Sequence, residues 1–339
     1  MLLAIILTLI GIKAVSGLDA ENLAKRWSKE DDFAQVSCYF SQLSKFNKDS
    51  VLQLNGNIEK KLKGDSLTTD KENARSWVHA YSANGQAQVS YKKTSASFKA
   101  VGVGGDYFLF HPLKLVHGNY FSDSFVGGGI VLIDTDVAWQ LFGSSDVVGQ
   151  LIDFNGEPYV ICGVVERESG RINDLAGNNK ATIYVPYSAL EANESTTFIN
   201  MYEALLPNPI SGYAVGALTD ALKTDKDTYE LVENTGRFHW TKLVANVKNF
   251  GIRGMNGKAI IYPYWENMAR GMEDYLTPVA VAALILYAVP IVFLIMLIFR
   301  MWKKRTIHFS DLKNFVDDRI DKRRAKKYYE KQLELKEIE

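Results

Sequence analysis

The sequence predicts an α+β body held outside a lipid bilayer on helical stalks, with two transmembrane helices. Three observations carry this. Residues 276–299 read LTPVAVAALILYAVPIVFLIMLIF, 24 residues without a charge. At about 1.5 Å per residue that is roughly 36 Å of helix, enough to cross a hydrocarbon core of about 30 Å with some tilt. Second, charge is partitioned along the chain. The whole balances at 39 Lys+Arg against 39 Asp+Glu, yet residues 300–339 hold 13 cations and 8 anions, and residues 18–275 hold 25 and 31. Third, the region between about 33 and 232 alternates strand-like and helix-like apolar spacings, the mixture of an α+β domain.

Orientation follows from the flanks of the apolar run. Arg300, Lys303, Lys304 and Arg305 follow it, while Glu273 and Asp274 precede it. By the positive-inside rule the tail 300–339 is cytoplasmic and 18–275 is extracytoplasmic, with Tyr275 and Trp302 as interfacial rings. The basic tail is better matched to anionic inner-leaflet lipid than to nucleic acid. Residues 1–17, MLLAIILTLIGIKAVSG, fit either a cleaved signal peptide or an uncleaved N-terminal transmembrane anchor. The anchor is favoured, because no basic segment precedes the apolar run and Lys13 can reach outward to water.

The body is then read in order. Residues 20–28 form a polar helix leaving the membrane. Phe33 to Ser41 alternates as a strand carrying Cys38. Asp49 or Ser50 caps a helix through Leu62, with Val51, Leu52, Leu54, Ile58 and Leu62 at helical spacing. Asn84-Gly85 between two alternating runs signals a hairpin, and Ser97 to Val103 is a third strand. Ile130 to Ile133 is a buried strand. Asp134 or Thr135 caps a short helix ended by Gly143. Val148 to Ile152 is a strand, turned by Asn155-Gly156 into Tyr159 to Val165. Residues 166–180 are a polar loop. Strands follow at 181–185, 198–205 and 229–232, with a helical turn from Pro186 and helices at about 210–222 and 242–249. The segment from Pro263 runs into the apolar helix as a rigid stalk, and Pro290 is expected to kink it. In the tail, Phe309, Leu312, Val316 and Ile320 make one apolar stripe on a basic helix, suited to a lipid surface or a cytosolic partner.

The chemistry-bearing residues point away from an enzyme. Gly251 to Ala259 lacks the first glycine and the hydroxyl of a phosphate loop. His79, His111, His117, His239 and His308 are scattered without metal-ligand spacing. Glu166, Glu168 and Asp174 lie on one loop, where a solvated surface is the better reading. Asn193-Glu-Ser195 matches a glycosylation acceptor. Cys38 and Cys162 could form one bridge, but two buried thiols are favoured. No catalytic, cofactor-binding or metal-binding residue is assigned, and no cofactor is expected.

The stretch 118–165 resembles a known family. Gly118-Asn-Tyr-Phe121, Ile130 to Asp134, Leu141-Phe142-Gly143, Asp146-Val-Val-Gly149 and Val160 to Val165 follow the order of the MacB-type periplasmic core domain of FtsX-like ABC permeases. The resemblance implies a porter-like lobe with a smaller inserted lobe on helical stalks. It also implies an ABC-permease-like subunit working with a cytosolic ATPase or sister permease. The family's permeases place one span before this domain and three after it. One span on each side suggests an accessory role and a homo- or hetero-oligomer to complete a path. A sensor or binding module on the same scaffold is the alternative.

Overall fold

The structure is a computed structural model describing residues 2–16, 22–29, 32–68, 75–122, 129–193, 197–249, 258–304 and 309–336. Contacts divide the chain into two compact units, residues 8–281 and residues 1–7 with 282–339.

In chain order the elements begin with α1 (Leu2–Val15), α2 (Leu23–Trp27), β1 (Phe33–Phe40), α3 (Lys48–Gly64), β2 (Val78–Tyr91) and β3 (Thr94–Gly105). Then come α4 (Tyr107–Phe110), β4 (Lys114–Gly118), β5 (Gly129–Asp134), α5 (Thr135–Phe142), β6 (Leu151–Phe154) and β7 (Glu157–Glu166). The remainder is α6 (Arg171–Ala176), β8 (Thr182–Pro186), α7 (Tyr187–Asn193), β9 (Met201–Pro207), α8 (Tyr213–Ala221), β10 (Tyr229–Glu233), α9 (Trp240–Asn246), α10 (Tyr264–Lys304) and α11 (Phe309–Lys336).

One ten-stranded sheet runs in the order β10-β1-β9-β2-β3-β8-β5-β7-β4, with β6 pairing β2 and β7. Two separate lobes are therefore not seen: β3 pairs β8 in parallel and joins the two halves into one body. Each face of the sheet has its own core. Val36, Cys38, Phe40, Tyr202, Ala204 and Leu206 face α3, α5, α7 and α8. Tyr39, Met201 and Leu205 face α2, α4 and the first turns of α10. The two-residue period of β1 and β9 thus sends Ser37 and Glu203 to the second face.

Several local expectations are met. Asp134 caps α5 by accepting from Val137 N at 2.8 Å, and Gly143 closes that helix at φ 70°. Asn155 and Gly156, both at positive φ, turn β6 into β7. Cys38 and Cys162 are free thiols. Burial pushes Cys162 up to about 11, and its Sγ donates to Val131 O at 3.2 Å.

Others are corrected. Asn84-Gly85 is no hairpin: Asn84 pairs Val101 and Gly85 pairs Ala100 inside one 14-residue strand. The turn falls at Lys92-Lys93, between the paired Tyr91 and Thr94. Gly85 is there for space, since a Cβ would lie 3.0 Å from Leu190 Cδ1 on α7. Asn47 caps α3, accepting from Ser50 N at 3.0 Å, one turn earlier than expected. The strand expected at 148–152 starts at Leu151, because Gly149 takes φ 83°. The loop 166–180 contains α6, anchored where Asn267 Nδ2 donates to Ala176 O at 3.0 Å. Strand β9 does not alternate, being buried on both faces in mid-sheet. The polar helix expected at 20–28 is reduced to α2.

Candidate functional site: a buried ion network at the root of the long helix

Helix α10 is the one helix, among the described residues, long and apolar enough to cross a membrane. Helix α1, at 14 residues, extends only about 21 Å and falls short of that length. What distinguishes α10 is its start. Glu266, Arg270 and Glu273 recur at spacings of four and three, which places them on one face. That face meets Tyr39 of β1, Glu230 of β10 and Arg237 beyond β10.

Arg237, four residues past β10, is the hub. Its Nη1 and Nη2 donate to Glu266 Oε2 and Oε1 at 2.7 and 3.1 Å, and its Nε donates to Glu273 Oε1 at 2.7 Å. Nη1 also reaches Asn234 Oδ1 at 3.2 Å. Burial works against the Arg237 charge, but Glu266 and Glu273 more than offset it and hold the guanidinium protonated. Glu266 is 1% exposed. It also accepts from Arg270 Nε at 2.5 Å and from Tyr39 OH at 3.1 Å. Arg270 extends the network to Glu230 on β10 at 2.7 Å, and lies 4.0 Å from the Tyr262 ring.

A second branch enters the sheet. Asn234 Nδ2 donates to Ser37 Oγ at 2.7 Å, and Ser37 Oγ donates to its directly paired cross-strand neighbour, Glu203. His111, just past α4, donates from Nε2 to the other Glu203 oxygen at 2.5 Å. The His111 ring lies 4.1 Å from that of Trp265 on α10. From Glu203 in the sheet to Glu273 on α10, buried polar groups are joined by hydrogen bonds. Such a network is costly to disrupt one member at a time, since each leaves its partner charged or unpaired in low dielectric. It can hold a helix root against a sheet.

Of the residues considered from sequence, His111 joins the network and the other described ones lie elsewhere. Arg167 donates to Asp136 Oδ2 at 2.6 Å and pairs Asp174 Oδ1 at 3.6 Å, and Glu166 pairs Lys114, so the loop carboxylates serve ordinary ion pairs. Asp134 also accepts from Thr182 N; burial raises its pKa to about 6 against those backbone N–H bonds. His79 stacks near Tyr81 and Tyr202 and contacts Asn55 at 3.0 Å. Among the described residues no three His, Cys, Asp or Glu side chains gather as metal ligands. The glycosylation match at 194–195, His308 and most of 251–259 lie outside the described residues. The network itself was missed. Its signals were a glutamate inside the apolar run Met201-Tyr-Glu203-Ala-Leu-Leu and the 266/270/273 charge stripe beside apolar neighbours.

Comparison with known proteins agrees with the resemblance seen in 118–165. Residues 28–224 match the MacB-like periplasmic core domain. A macrolide export ATP-binding/permease protein MacB of Chromobacterium violaceum is 27% identical over 182 residues, covering 51% of this chain and 27% of that protein. MacB 2 of Aeromonas hydrophila subsp. hydrophila is 31% identical over 105 residues, 30% of this chain and 16% of that protein. An ABC transporter permease of Bacillus subtilis, YknZ, is 24% identical over 128 residues, 37% of this chain and 31% of that one. The chain thus spans under a third of the length of each of these curated relatives. Among solved structures, the periplasmic region of MacB from Actinobacillus actinomycetemcomitans aligns with TM-score 0.44 and 16% identity, over 66% of this chain and 94% of that one. The relatives are ABC transporter permeases, and this chain belongs to the MacB-like periplasmic core domain family.

Proposed function

We propose that the chain is a membrane-anchored, ABC-permease-like subunit, accessory to a cytosolic ATPase or sister permease. In this reading it relays ATPase-driven motion between the cytosol and its extracytoplasmic domain. Residues 276–299 cross the bilayer, residues 1–17 form a second anchor, and the basic tail including α11 faces the cytosol against anionic lipid and the partner. The observation that carries the reading is the ion network. A spanning helix can transmit movement only if its outer end is fixed to the body it moves, and Arg237, Glu266 and Glu273 supply that fixation. The export activities named for the relatives stay with those proteins.

The test is capture of the intact, tagged chain from its native membrane. An ABC ATPase or permease is expected to come down with it, and deletion of 307–339 is expected to weaken the association. A chain that is captured alone, with no effect of the deletion, would point to the sensor or binding-module reading instead.

A further inference from the structure

Helix α9 and the 3-10 turn Val247–Asn249 that continues it carry a feature the relay does not use. Trp240, Leu243, Val244 and Val247 follow the i, i+3, i+4, i+7 rule and form one apolar stripe. The middle of that stripe is taken: Leu243 is buried, and its carbonyl accepts from Thr277 Oγ1 of α10 at 3.3 Å. Its ends are open. Trp240 is 54% and Val247 47% exposed, and Tyr275 on α10 is 60% exposed. Thr277 is the second residue of the uncharged run 276–299, so Leu243 meets α10 at the point where that helix turns apolar. Exposed His239 and Lys248 flank the stripe, while Lys242 is turned back onto the body, pairing Glu233 Oε2 at 3.4 Å and donating to Thr235 O at 3.2 Å.

We propose that α9 is an interfacial helix that lies on the outer leaflet. Trp240 and Val247 enter the headgroup region and Lys248 faces lipid phosphates. The inference rests on the proposed spanning role of 276–299. Lipid fits better than a protein groove for two reasons. A groove-binding helix offers the centre of its stripe as the anchor, whereas here the centre is spent on α10. Exposed aromatic side chains next to the start of an apolar helix, with a cation beside them, are what a bilayer interface selects. Arg237 lies three residues before Trp240, so the same short segment carries the hub of the ion network and the surface contact. Leaflet contact would thereby set the height of the network above the membrane.

The test uses the intact chain in nanodiscs containing lipids brominated near the glycerol end of the acyl chains, which quench nearby tryptophan. The chain has 6 tryptophans. Trp302 reports the proposed span, and Trp240 reports α9. Trp240→Phe is expected to remove about half of the lipid-quenched emission and Trp302→Phe most of the remainder, since interfacial rings sit at that depth. Quenching unchanged in Trp240→Phe but reduced in Trp302→Phe overturns the α9 assignment and leaves the span intact. Quenching unchanged in Trp302→Phe overturns the spanning role, and the α9 assignment falls with it. Near-ultraviolet circular dichroism of each variant checks that the fold is kept.

Discussion

Glu266→Gln is the most informative single change. The wild-type carboxylate is 1% exposed and accepts four hydrogen bonds, from Arg237 at 2.7 and 3.1 Å, Arg270 at 2.5 Å and Tyr39 at 3.1 Å. Glutamine keeps the shape but loses the charge, and its amide N–H groups then face guanidinium N–H groups. Arg237 stays buried with Glu273 as its one remaining anionic partner in this cluster. Removing one member of a buried pair costs about 3–5 kcal/mol. For a folded unit of this size each kcal/mol lowers Tm by about 2–4 °C, so a fall of roughly 6–20 °C is expected. Near-ultraviolet circular dichroism of the intact chain in detergent, followed on heating, measures it. The exposed pair Lys322–Asp318, at 2.9 Å, is the control, and Asp318→Asn should scarcely move Tm. Adding Arg237→Met to Glu266→Gln should cost much less than the two single changes summed, because one group cannot be stranded twice. A Glu266→Gln transition within about 2 °C of wild type would refute the claim that the network is a strong joint.

Further outcomes test other parts. Gly118 and Gly149 both have positive φ, but a Cβ at Gly118 would lie 2.2 Å from Cys162 O, whereas Gly149 opens into space. Gly149→Ala should therefore lose only the left-handed penalty of about 1–2 kcal/mol, while Gly118→Ala should lose clearly more, read from denaturant midpoints. Burial raises Asp134 from 3.8 to about 6, so between those values the folded chain holds a proton that the unfolded chain has released. Stability should then rise by up to roughly 3 kcal/mol as pH falls from above 6 to about 4, and Asp134→Asn should flatten that window. Cys162 is pushed up to about 11 and Cys38 also rises with burial, so both should alkylate slowly at pH 8 in the folded chain and rapidly after denaturation. A disulfide found by mass spectrometry would contradict this.

What could be read in the sequence was what depends on short range. Asp134 and Gly143 bracket α5 because capping is decided within one turn, and Asn155-Gly156 turns because its two residues tolerate positive φ. The long apolar helix was visible because composition alone sets it. What stayed hidden depends on partners distant in sequence. Asn84-Gly85 looks like a turn until β3 and Leu190 of α7 close around it. The expected two lobes merge because β3 pairs β8 across some eighty residues. The ion network draws on Ser37, His111, Glu203, Arg237 and Glu266, which only the sheet order brings together. A lone buried-looking glutamate such as Glu203 was the available signal, but it does not name its partner.

The most direct measurement of the central claim is hydrogen exchange of the intact chain in nanodiscs, comparing amides of 267–275 with those of β9. If the network locks the root of α10 to the sheet, the two segments open together. Their protection in wild type should be of the same order, and Arg237→Met should lower both by a similar factor. Root amides that exchange far faster than β9 in wild type, or an Arg237→Met change confined to one segment, would contradict it.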